Sequence, residues 1–221
     1  MMSRLYGDQH RTFQDRFDTR KMADRIEELA VVTEIGDETR EFISSRDMFF
    51  LSTVDQNGRP TVSYKGGAPG FVKVLDESTL AFPNYDGNGM YYSIGNITGN
   101  NQVGILFIDF EKPHRIRVQG TAEVSTDDSL LARWPGADVV IMVHISELWQ
   151  NCPRYIHRYR KLQESRYVPE ADGEFPIAEW KRTDAVNDVL RPEEVEKVER
   201  SGGQITIEEW MERVQKGDEN V

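Results

Sequence analysis

The chain contains one cysteine, Cys152, among 221 residues, so it can form no intramolecular disulfide and no metal site built on several thiolates. It has no apolar run near the roughly 20 residues needed to cross a bilayer. Its opening stretch, MMSRLYGDQHRTFQDRFDTRK, lacks the apolar core of a secretory signal. These absences favour a reducing, cytoplasmic setting, where the triplet Asn96-Ile97-Thr98 would carry no glycan. Cations are also scarce: 27 Lys and Arg stand against 38 Asp and Glu, a formal net charge of −11. A chain so acidic is repelled by phosphate-rich surfaces, which argues against a broad nucleic-acid or anionic-membrane face. Any anion must be held locally. No G-x-S-x-G elbow, H-E-x-x-H helix or P-loop lysine occurs. The four histidines, His10, His114, His144 and His157, are dispersed. His144 is expected in the core as a hydrogen-bonded residue, and Cys152 as a small buried apolar one.

What is present reads as mostly strand. RKMADRIEELAVV places Met22, Ile26, Leu29 and Ala30 at helical spacing, and DETREFISSR continues as a second short helix, together an N-terminal helical cap. From Met48 the period changes. MFFLSTV and RPTVSYK flank a turn supplied by Asn57-Gly58, the signature of a hairpin. FVKVL and TLAF flank DES, and VGILFIDF and RIRVQGTAEV flank EKPH. Six strands therefore fall between residues 48 and 124. A seventh run, ADVVIMVHI, is β-branched and short enough to be another strand. An antiparallel sheet closed into a small barrel would remove the exposed edges. DDSLLARWPG reads as a short helix, and two more helices are expected from about Pro192 and from Thr206, the latter with Glu209 in capping-box register and Gly217 past its end.

Three stretches could carry chemistry. In FPNYDGNGMYYSIGNI, Asp86-Gly87-Asn88-Gly89 precedes a helix with Met90, Ile94 and Ile97 on one face. Gly87 and Gly89 let the backbone approach a ligand, Asn88 offers an amide, and the helix start offers free N–H groups, so the stretch is either an anion cradle or a simple capped loop. In SYKGGAPGF, Ser63 and Lys65 alternate with Tyr64 and share one strand face, where a lysine beside a hydroxyl can contact phosphate. In NCPRYIHRYRK, Arg154, His157, Arg158, Arg160 and Lys161 form a basic patch in an acidic chain, suited to an anion or simply to water.

Taken in order, STVDQNGRPTVSYKGGAPGFVKVLDESTLAFPNYDGNGMYYSIGNI, NNQVGILFIDFEKPHRIRVQGTAEV and NCPRYI resemble the pyridoxamine 5'-phosphate oxidase-related, FMN-binding split-barrel family over about residues 40 to 160. The resemblance implies a mainly β fold with flanking helices, a six-stranded antiparallel split β-barrel. It implies a helical cap over 1–45, the FMN-binding domain over 46–160 and a loop and helical extension over 161–221. It implies a cytoplasmic homodimer with FMN at the subunit interface, held by Ser63, Tyr64, Lys65, Pro83, Asn84, Gly87, Asn88, Gly89 and Met90, with Arg154 supplied by the partner subunit.

Two departures narrow the expected activity. The family's C-terminal arginine-leucine-histidine signature, which binds the vitamin phosphate, has no counterpart after residue 160. The arginine-lysine pair at the phosphate turn is replaced by Asn88-Gly89-Met90. The expected function is thus an FMN-dependent oxidoreductase acting on a small molecule other than vitamin B6 phosphate, with NADH or NADPH as possible donor. A flavin- or haem-binding barrel without turnover is the alternative, and a barrel that serves only protein interaction is a third.

Overall fold

The computed structural model describes residues 3–221. They form two compact units, one reaching to Arg160 and the other Lys161–Val221. No helix of the described residues is long and apolar enough to cross a membrane.

The first unit opens with helices α1 (Asp8–Arg16) and α2 (Arg20–Ala30), the two-residue strand β1 (Val31–Val32) and helix α3 (Asp37–Ser44). Strands β2 (Met48–Val54), β3 (Pro60–Gly66), β4 (Lys73–Val74) and β5 (Thr79–Tyr85) follow as two hairpins. Helix α4 (Tyr92–Gly99) leads to β6 (Gln102–Asp109) and β7 (His114–Ser125), and the single turn α5 (Asp128–Leu131) to the long β8 (Ala137–Asn151). All pairings in this sheet are antiparallel, in the order β3-β2-β6-β7-β8-β5-β4, and β1 pairs with the far end of β8. The sheet is an open path ending at β3 and β4, so the closed barrel expected from edge avoidance is corrected to a split one. Strand β4 is only two residues long, and a short edge is itself a protection against stray pairing.

Strand alternation puts one face inside. Phe49 and Leu51 of β2, Ile105 and Phe107 of β6, Ile116 and Val118 of β7 and Leu80 and Phe82 of β5 are buried together with Ile43 of α3. Phe49 is the hub, its ring 4.8 Å from Phe82, 5.3 Å from Phe107 and 5.7 Å from Phe71. Each such ring contributes about 1.5–3 kcal/mol by leaving water. Trp134, just past α5, is buried and donates from Nε1 to the Phe71 carbonyl at 2.7 Å. The stripe of α2 behaves otherwise: Met22, Ile26 and Leu29 are exposed, as are Phe13 and Phe17 nearby. Helical periodicity identified the helix but did not tell which way its apolar side would face.

The second unit carries two 3-10 turns, Glu179–Arg182 and Asn187–Val189, then α6 (Pro192–Arg200) and α7 (Ile207–Lys216). Thr206 Oγ1 accepts from the Glu209 N–H and Gly217 closes α7 in the left-handed region, as the spacing predicts. Charged groups tie the unit together. Lys181 Nζ lies 2.6 Å from Glu194 Oε1, both buried, and Glu179 accepts from Arg182 and from Arg213, each at 2.9 Å. The hydrogen bond from Arg191, then that from Lys181, outweigh burial and hold the Glu194 carboxyl at about 2 against an ordinary 4.5. A depressed carboxylate stabilises the fold above its unfolded value and loses that contribution as pH falls through the folded one. Stability should therefore decline below about pH 4.5 and continue falling toward pH 2. Glu194→Gln should remove much of that slope and cost about 3 kcal/mol at neutral pH, because it removes the carboxylate charge that faces the buried Lys181 ammonium at 2.6 Å. Urea midpoints measured from pH 2 to 7 check both; an unchanged slope refutes the assignment.

Candidate functional site

Strand β3 and helix α4 meet along a polar seam at the edge of the barrel. Thr61, Ser63 and Lys65 lie on the inward face of β3, opposite Thr53, Leu51 and Phe49 of β2. Asn96 of α4 donates from Nδ2 to Thr53 Oγ1 at 3.0 Å, and one turn earlier Ser93 Oγ lies 3.2 Å from Ser63 Oγ. Contacts thus climb β3 toward the helix start, and Lys65 is the next residue on that face. Its side chain is half-buried against the barrel wall, and burial lowers its pKa. No carboxylate pairs with it among the described residues. A desolvated ammonium without a counter-charge is costly to fold around and ready for an anion.

The loop between β5 and α4 carries the other candidates. Pro83 is buried in β5, and Asn84 donates from Nδ2 to Asp138 Oδ1 at 3.0 Å. Gly87, Asn88, Gly89 and Met90 are exposed. Nothing lies within 4 Å of a Cβ built on Gly87 or Gly89, and Gly89 has φ of 74°, so this backbone borders open space in a conformation glycine favours. Asn88 is tied within the loop, its Oδ1 accepting from the Met90 N–H at 3.1 Å. The helix begins two residues later than the sequence pattern suggests. Tyr91, at φ 46° and ψ 32°, occupies the position before it, in the left-handed region, so Met90 is not on the helix face. Ile97 is buried and Ile94 packs against the core as expected.

Two candidates stand elsewhere. Tyr64 points to the opposite sheet face, exposed, its ring edge-on to Phe50 at 6.2 Å. Arg154 is exposed beyond β8. Register places Lys65, Phe49, Phe107, Ile116 and Gln150 in one row across the strands. That separates the β8 end from Lys65 by roughly 19 Å along the sheet, at about 4.8 Å per strand. His144, expected in the core, is exposed and faces Glu123 at 3.3 Å, because β8 turns it to the outer face. Cys152 is exposed too, since β8 ends just before it, and lines a cavity of about 400 Å³ with Leu29, Ile116, Leu148 and Trp149.

Sequence reasoning missed a group beside the β8 end. Four buried side-chain atoms lack a hydrogen-bond partner among the described residues: Arg46 Nε, His114 Nε2, Arg115 Nε and Asn151 Oδ1. Arg115 and Asn151 are direct cross-strand partners, one an orphan donor and the other an orphan acceptor. Each such group costs about 1–3 kcal/mol unless water or a ligand satisfies it. Only strand register could have paired them.

Residues 35–152, just over half of the chain, match the sequence model of the family described as pyridoxamine 5'-phosphate oxidase. A solved candidate pyridoxamine 5'-phosphate oxidase from Lactobacillus delbrueckii is 27% identical over 53% of this chain and 95% of its own, with a TM-score of 0.44. HupZ from Group A Streptococcus is 22% identical over 52% and 93%, with a TM-score of 0.43. No curated protein matches the chain.

Proposed function

The chain belongs to the pyridoxamine 5'-phosphate oxidase family, and from that premise we propose that it is a cytoplasmic, homodimeric FMN-binding oxidoreductase acting on a small molecule other than vitamin B6 phosphate. The observation that carries this reading is Lys65: burial lowers its pKa with no carboxylate to offset it, and it shares a strand face with Ser63, whose hydroxyl meets Ser93 in the first turn of α4. In an acidic chain, that donor set fits a phosphate or another oxyanion. The second copy is part of this proposal; Val62 and Tyr64, alternate residues on the outer face of β3, are exposed and offer it apolar surface.

In this reading Lys65 balances the phosphate charge, Ser63 and the first N–H groups of α4 donate to its oxygens, and Gly87 and Gly89 keep the approach clear. The β8 end of the second copy supplies Arg154. When bound, FMN supplies the capacity to take up a hydride or single electrons at its N5. The residues present offer binding and orientation; none is placed as a general base.

The visible spectrum of the purified protein, with the released ligand identified by mass, tests the reading. Flavin bands, or stoichiometric uptake of added FMN, are expected, followed by bleaching with NADH or NADPH and recovery in air. Colourless protein that takes up no FMN removes the reading. Bound FMN that neither nicotinamide bleaches favours a flavin-holding role instead.

A further inference from the structure

Asp138 enters neither the sequence pattern nor the family's expected flavin contacts set out above, yet it touches both ends of the glycine loop. It sits in a β-bulge: Asn84 of β5 pairs with Val139 and Tyr85 with Ala137, so Asp138 is the extra residue on β8. A bulge redirects the side chain of its extra residue. Here the carboxylate turns to the loop, where Oδ1 accepts from Asn84 Nδ2 at 3.0 Å and Oδ2 accepts from the Tyr91 hydroxyl at 2.5 Å. Asn84 opens the loop and Tyr91 closes it. Tyr91 holds a left-handed backbone conformation that L residues rarely adopt, at a cost of order 1–3 kcal/mol that surrounding contacts must offset.

We infer that Asp138 is a positioning residue that clamps the 84–91 loop in the shape that receives the FMN phosphate, an inference that rests on the flavin reading above. The charge sign sharpens it. A carboxylate near a phosphate site would by Coulomb repulsion weaken phosphate binding, so its value must lie in holding the loop, with both oxygens turned to neutral donors.

The test compares Asp138→Ala and Asp138→Asn with the unaltered protein. Amide hydrogen exchange is read over residues 86–92, and affinity is measured for FMN and for riboflavin, which lacks the phosphate. Asp138→Ala should speed exchange in the loop about ten-fold and weaken FMN about ten-fold while leaving riboflavin affinity unchanged. Asp138→Asn, which keeps one acceptor, should restore much of both. Unchanged exchange in Asp138→Ala overturns the clamp whatever the flavin result. Faster exchange with unchanged or tighter FMN binding overturns the positioning role. Failure of the unaltered protein to take up FMN sinks the flavin reading itself, and is told apart because it needs no variant.

Discussion

Lys65→Met is expected to weaken FMN binding about a hundred-fold and, in the same protein, to raise the melting temperature of the flavin-free form. Both effects follow from one observation, that burial lowers the Lys65 pKa and no carboxylate offsets it. A lysine whose folded pKa lies below its unfolded one binds fewer protons in the folded state, so stability rises with pH and the charged form is a net cost at neutral pH. Methionine fills similar space without that charge. Each kcal/mol recovered shifts melting by about 2–4 °C in a chain of this size, whereas the lost ammonium–phosphate contact removes about 2.7 kcal/mol of binding at a hundred-fold change. The pH dependence of binding has a definite sign. Unaltered protein should lose FMN affinity as pH rises toward the lowered lysine value, earlier than an ordinary lysine at 10.5 would dictate, and the methionine variant should be flat there. Flavin fluorescence titration and thermal melts, each with and without FMN, provide the measurements. A lower melting temperature in the flavin-free variant, or unaltered FMN affinity, would show that Lys65 is structural.

The largest stability loss is expected from Gly120→Ala. A Cβ on Gly120 would stand 2.1 Å from the His144 carbonyl oxygen and 3.0 Å from its carbon, both backbone atoms of β8. Neither strand can retreat: β7 is paired with β6 on one side and β8 on the other, and β8 is held by β5 beyond. The register shift between Gln119 and Gly120 brings the strands this close, in the manner of a bulge with glycine at the approach. The cost should exceed about 4 kcal/mol, enough to deplete the folded protein. Gly104→Ala on β6, where the nearest atom is Ser52 Cβ at 3.8 Å, should cost about 1 kcal/mol or less. Urea denaturation of the pair decides; equal midpoints would mean that β7 and β8 do not have this register.

Much of the fold was legible because its signals are local. The Asn57-Gly58 turn, the alternation of Ser63, Tyr64 and Lys65, and the Thr206–Glu209 box each depend on residues within one element, and each stands where the spacing put it. The linked order of SYKGG, FPNYDGNGM and NCPRYI likewise carried the family before any coordinate. The late start of α4 was not legible, because Tyr91 is held in a left-handed conformation beside a contact with Asp138, 47 residues away. Periodicity alone would have run the helix back to Met90.

By itself, then, the sequence determined a mostly antiparallel domain, a helical tail and a cationic strand residue near a glycine turn, since these are matters of spacing and side-chain type. Only the tertiary structure decided that Lys65 is half-buried with no carboxylate beside it, that the β8 end before Arg154 lies four strands away, that Arg115 and Asn151 stand opposed and unsatisfied, and that a bulge turns Asp138 onto the loop. Each of those depends on register or desolvation, and both arise only when distant strands are brought side by side.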